Sequence, residues 1–169
     1  TTAPSAIKVA IQSFLNLLQE QNDNNVKLIV LDKILELRKQ YAKVLEDYIT
    51  DILSIIKDDS IGSLEINQKV LELTTLLVSP RNIKEVRTFL EREITRACKM
   101  DDSGAQSAIT NEYRYLLIKS INQITHSYPE TIPSVLAPLM AQFLKFEGKS
   151  TFASLETILF IREVIEVYP

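Results

Sequence analysis

Glycine is scarce in this chain: three among 169 residues, at positions 62, 104 and 148. Neither a Walker loop nor a dinucleotide-binding fingerprint can be assembled from them, because both crowd several glycines into one turn that closes on phosphate. Histidine and cysteine are scarcer still, with His126 and Cys98 as single examples. A zinc site of the usual nitrogen and sulfur ligands is therefore excluded within the chain, and Cys98 has no internal disulfide partner. Ser/His/Asp chemistry would rest on His126 alone, late in a helical pattern before Tyr128-Pro129. There a histidine meets the last helix carbonyls or faces solvent. Long apolar runs are missing as well, and none reaches the eighteen or so uncharged residues of a membrane span. The start, TTAPSAIKVAI, has no signal-peptide architecture, and no Asn-x-Ser/Thr sequon occurs. The net charge of −3 offers no bulk attraction to nucleic acid. A reducing, cytoplasmic setting is expected, with no catalytic residues, no cofactor and no metal.

What the chain has is helix. With 46% hydrophobic and 24% charged residues, it has ample material for a core. One helical unit recurs about every forty residues. Val26, Val30, Leu31 and Leu37 are matched 40 residues on by Ile66, Val70, Leu71 and Leu77. A further 47 brings Tyr113, Leu117, Ile118 and Ile124, and 41 more brings Ser154, Ile158, Leu159 and Ile165. Only Ser154 breaks the apolar match. A period of roughly 40–47 residues with no strand signal between helices is the mark of a HEAT or armadillo solenoid. The fold class expected is all-α, a right-handed HEAT/armadillo-type α-solenoid. Such a chain makes extended surface rather than a catalytic cleft. Its apolar pattern runs to the last residues, FIREVIEVYP, without a polar capping repeat, so the chain reads as a piece of a longer solenoid.

Punctuation places eight helices in four hairpins. They span about 4–21, 25–40, 42–57, 63–78, 81–99, 106–127, 131–146 and 151–168. The repeats run roughly 4–40, 41–79, 80–128 and 129–169. Asn24 or Asn25 is the expected cap of the second helix and Ser63 that of the fourth. Ser79-Pro80 ends the fourth, since the residue before proline resists helix. Pro133 sits where proline is tolerated, and Pro138 falls inside the seventh helix, where a kink is expected. The second helix of each pair reads as the inner one: on 25–40, Val26, Val30, Ile34 and Leu37 fall in one arc and Leu28, Leu31 and Leu35 in an adjacent one, together wider than a surface helix needs.

Few side chains suggest chemistry. Cys98 flanks the apolar stripe of helix 81–99 and reads as a packed thiol. Asp58-Asp59 and Asp101-Asp102 lack the alternating spacing of a calcium loop and read as turn residues. One charge pattern stands out. Arg81, Arg92, Arg96 and Lys99 project within about 60° of one another on a helical wheel, opposite Val86, Leu90, Ile94 and Ala97. The segment 81–99 carries six basic and three acidic residues. This stripe is the candidate partner- or membrane-facing surface, for an acidic protein or anionic headgroups; the alternative is a solvated outer face.

The strings NNVKLIVLDKILELR, LELTTLLVSPRN, YRYLLIKSINQI, YPETIPSVLAPLMAQFL and FIREVIEVYP, in this order, resemble the helical trunk of the adaptin-like large subunits of the COPI vesicle coat, coatomer. The likeness runs from about Ala6 to Tyr168. It implies a non-enzymatic scaffold within the N-terminal trunk, without the family's C-terminal appendage. The partners it implies are the other coatomer subunits and an Arf-type small GTPase, with peripheral association to the Golgi membrane through the coat. The role it implies is Golgi-to-ER and intra-Golgi traffic. It carries over no catalytic residues, and no short motif places a GTPase contact. Periodicity alone leaves open a HEAT-type adaptor of another assembly, such as a clathrin adaptor large chain, a transport receptor or a phosphatase scaffold.

Overall fold

The computed structural model describes residues 4–56, 63–99, 107–143 and 151–167, and among them there is no strand. The helices are α1 (Pro4–Glu20), α2 (Asn24–Leu45), α3 (Ile49–Leu53), α4 (Leu64–Leu77), α5 (Ile83–Lys99), α6 (Ser107–Ser127), α7 (Ile132–Phe143) and α8 (Thr151–Val167). They fall into two compact units, Thr1–Asn82 and Ile83–Pro169.

In the first unit α1 packs on α2, α3 on α4, and α4 lies against α2. Ile11, Leu15 and Leu18, spaced at four and three residues, are the buried row of α1. That spacing keeps them on one helical face, and each contributes roughly 1.5–3 kcal/mol on burial. On α2 the buried residues are Val30, Leu31, Ile34 and Leu45, while Val26 and Leu37 are half-buried. Ile66, Val70, Leu71 and Leu77 of α4 are buried, so the second helix of each pair supplies much of the core, as the repeat requires. An ion pair from Lys69 of α4 to Asp32 of α2 ties the two together, and this hydrogen bond holds the lysine pKa above its usual value.

The cap of α2 is Asp23 rather than Asn24 or Asn25: its carboxylate accepts from the Asn25 N–H at 2.8 Å. A full negative charge at this end also complements the helix dipole, and both asparagines lie inside the first turn. Ser63 does occupy the cap position of α4, but its side chain makes no capping bond. The third helix expected over 42–57 is segmented. Tyr41 breaks α2 (φ −126°, ψ 31°), a 3-10 turn follows at Glu46–Tyr48, and α3 is short. The Glu46 carbonyl accepts from the Ile49 N–H and from Asn82 Nδ2 at 3.4 Å. An outside donor at a helix carbonyl is a recognised cause of such a break. Asn82, itself buried, also donates to the last-turn Leu77 carbonyl at 3.0 Å and accepts from the Ser79 N–H at 2.8 Å. It thereby serves a group left orphaned where Ser79-Pro80 ends α4.

In the second unit α5 packs on α6, α7 on α8, α5 on α7 and α6 on α8. This is hairpin stacked on hairpin. Val86, Leu90, Ile94 and Ala97 of α5 are fully buried, as are Tyr113, Leu117, Ile118, Ile121 and Ile124 of α6 to within 1%. A 3-10 turn at Pro129–Thr131 leads into α7, which runs on through Pro138. The fourth repeat departs from expectation. Ile158, Leu159 and Ile165 are 52%, 45% and 64% exposed, although their counterparts in the other three are buried apart from half-buried Leu37. The side of α8 that packs carries Thr157, Phe160 and Val164 instead. Ser154 lies outside the residues whose side chains are described.

Candidate interaction surfaces

Of the four residues of the stripe read from the helical wheel, Arg81, Arg92 and Lys99 are exposed and Arg96 is not. Arg81 precedes α5 and belongs to the first unit, where its Nη2 lies 2.6 Å from Asp47 Oδ1. Arg92 is exposed on α5; its guanidinium sits 5.5 Å from the Phe89 ring centroid and 3.7 Å from Glu93 Oε1. Lys99 is exposed in the last turn of α5, where a cation complements the helix dipole. Arg96 turns inward. Its side chain is only 15% exposed, against a Glu93 carboxylate that is fully buried. A wheel gives the direction of Cβ, whereas a long cationic side chain follows its counter-charge.

Around Glu93 the interior of the second unit holds a polar cluster that sequence periodicity did not announce. Arg96 donates to Glu93 Oε2 from Nε at 3.0 Å and from Nη2 at 2.7 Å. The Tyr113 hydroxyl donates to the same oxygen at 2.6 Å and accepts from Arg96 Nη2 at 3.3 Å. The guanidinium lies 5.4 Å from the Tyr113 ring centroid, within the range of a cation–π contact. Burial works against the charge of Arg96, but the hydrogen bond and charge of Glu93 outweigh it and keep the guanidinium pKa above its usual value. One turn on, buried Arg114 of α6 donates from Nε to the Ala97 carbonyl at 2.9 Å, meeting one of the last carbonyls of α5. The signal available in the sequence was Glu93 itself, an acid at the edge of the apolar row of α5.

Burial raises the pKa of the Tyr113 hydroxyl above the usual tyrosine value, and the Glu93 charge adds to it. The proton is thus held more tightly in the folded than in the unfolded chain. This contribution to stability is intact below about pH 10 and is lost as pH rises beyond it, because unfolded tyrosine ionises first. Between pH 8 and 11 the urea midpoint of the second unit is expected to fall more steeply in the parent than in Tyr113→Phe. Parallel pH profiles for the two proteins would rule the effect out.

His126, 71% exposed in the last turn of α6, has Nδ1 3.3 Å from Glu163 Oε1 of α8, and Asn122 Nδ2 donates to Glu163 Oε2 at 3.3 Å. With Gln123 and Ser127 they line an open groove of about 300 Å³. The Ser127 hydroxyl in this lining donates to the Gln123 carbonyl at 3.4 Å, and among the described residues no group of three His, Cys, Asp or Glu converges as a metal site. The Cys98 side chain, Asp58-Asp59 and Asp101-Asp102 lie outside what is described. No helix among the described residues is long and apolar enough to cross a membrane.

Helical hairpins stacked within each unit, with no strand among the described residues, define an all-α helical-repeat protein. The family comparison is specific: the Adaptin N terminal region matches residues 1–169, and the chain belongs to that family. It is similar to coatomer subunit beta of Dictyostelium discoideum, 37% identical over 100% of this chain. Coatomer subunit beta-1 of Oryza sativa subsp. japonica is 36% identical over 100% of the chain, and coatomer subunit beta of Sus scrofa 33% over 98%. The chain spans 17% of the length of each of these relatives. No solved structure matches it.

Proposed function

We propose that the chain is a non-enzymatic scaffold segment of a COPI coat subunit, acting by protein–protein contact in Golgi-to-ER and intra-Golgi traffic. The observation that carries this reading is similarity to coatomer beta subunits along the whole chain. The other coatomer subunits are then its partners, with an Arf-type GTPase recruiting the coat, and the segment works in the cytoplasm, attached to Golgi membrane and vesicles only through the coat. Binding energy in such a module comes from complementary surface with a few dominant anchors. Of the four stripe residues, Arg92 and Lys99 are the exposed cations on α5 and the contacts we assign to an acidic partner surface. Arg81 is paired with Asp47, and Arg96 serves the interior.

The test is an affinity pull-down from cytosol with this chain as bait and mass spectrometry of the bound proteins. Coat subunits or an Arf-type GTPase are the expected catch. A clathrin adaptor, a transport complex or a phosphatase assembly in their place would move the chain to another scaffold. The double variant Arg92→Gln, Lys99→Gln is expected to reduce recovery several-fold while lowering the melting temperature by no more than about 4 °C, since exposed charges contribute little to stability. Equal recovery by parent and variant would return both residues to a solvated face.

A further inference from the structure

The buried row of α2 runs into a charge. Leu31, Ile34 and Arg38, three and four residues apart, fall within about 60° on a helical wheel. Leu31 and Ile34 are wholly buried, and Arg38 continues their row half-buried. Its Nε is closed off from solvent and has no hydrogen-bond partner. Among the described residues, the ion pairs of the first unit are Lys33–Glu36, Lys69–Asp32 and Arg81–Asp47. No described carboxylate therefore answers Arg38. A guanidinium drawn partly out of water without a counter-charge lowers stability, which is why such groups are as a rule paired. Arg96 of the second unit has that pairing in Glu93; Arg38 has none.

Two observations say what fits there. Lys39 and Lys43 are exposed and enter none of those ion pairs, and no acid occurs between Leu37 and Leu45. Three cations thus stand together without an acid, in a chain of net charge −3. The second observation is the shape of the donor. The terminal nitrogens of Arg38 are not closed off as Nε is, so the head of the guanidinium opens to the surface. Its planar fork of N–H groups matches a carboxylate with two parallel hydrogen bonds. An anionic membrane fits less well, because the basic clusters that hold headgroups carry roughly four to eight cations.

We propose that Arg38 anchors a docking site for an acidic protein segment. One carboxylate of that segment pairs with the guanidinium, and Lys39 and Lys43 attract its remaining charge. The site goes beyond the coat reading and does not rest on it.

Two measurements test it. Arg38→Met keeps the apolar stem and removes the unpaired charge, so the melting temperature of this chain is expected to stay level or rise. A fall of about five degrees or more would show that the folded chain already uses the guanidinium, and would overturn the proposal. The second measurement is a titration of the chain with hexaglutamate, followed by NMR at the arginine Nε–H signals. The Arg38 signal is expected to shift and saturate. Those of Arg81 and Arg162, already paired with Asp47 and Glu166, should move several-fold less. Arg38→Met should weaken binding several-fold, as read from the backbone amides of residues 37–45. Equal movement of all three arginine signals would reduce the effect to unspecific attraction of charge. Saturation by inorganic phosphate at a lower concentration, or a response to phosphatidylserine vesicles but not to the peptide, would give the site to another ligand. Any of these results sinks the idea. A flat titration defeats the site alone, and a pull-down without coat subunits leaves it standing.

Discussion

Leu117→Asp is expected to abolish the cooperative folding of the second unit. Leu117 is fully buried on α6, a helix in contact with both α5 and α8. The substitution forfeits roughly 2–3 kcal/mol of apolar burial. It also places a carboxylate where no donor is provided, at a further cost of several kcal/mol even if the group protonates. Against a domain stability of about 5–15 kcal/mol the sum is decisive. Circular dichroism should show a large loss of helix, and amides of α5 and α6 should lose protection from hydrogen exchange. Leu71→Asp, 2% exposed on α4, is the corresponding change in the first unit. An unchanged melt for either variant would refute the assignment of that helix to the core.

Glu93→Ala is the second large effect, and it acts by a different route. It removes the one acceptor that receives both Arg96 and the Tyr113 hydroxyl, leaving a guanidinium whose side chain is 15% exposed without its counter-charge. Breaking a buried pair from one side costs about 3–5 kcal/mol, more than the pair contributes net, because the remaining charge stays desolvated. Arg92→Ala, four-sevenths exposed at 57% and one residue away, should change stability by less than about 0.5 kcal/mol. The comparison is made by urea denaturation of the two variants at neutral pH. Similar losses for both would show that the cluster is not a desolvated network. Restoring a hydrogen-bond acceptor without charge, as in Glu93→Gln, is expected to recover part of the loss.

These two sites differ in how far they were legible. The burial of Leu117 follows from the repeat: apolar residues at i, i+4 and i+7 select one helical face, and the face recurs at near-constant spacing. The same periodicity separated the helices, and Ser79-Pro80 and Tyr128-Pro129 marked ends correctly because proline restricts its own backbone and its neighbour's. Glu93 could not be read this way. Whether an acid at the edge of an apolar row reaches water or the interior depends on what faces it, and that is Tyr113, twenty residues along the chain.

The sequence by itself determined that this protein is all-helical, where most helices start and stop, and which rows of α4, α5 and α6 form the core. It also carried the adaptin-type family. Those properties depend on local sterics and on the 3.6-residue period, which any contiguous segment displays. The tertiary structure decided the rest. It turned Arg96 of the cationic stripe into the interior and paired Arg81 with Asp47. It made Asp23 and Asn82 the residues that satisfy the helix ends, and it left one apolar side of α8 open. Each of these depends on a partner brought close only by folding, and the charge or burial of a long side chain is set by that partner rather than by its own place in the chain.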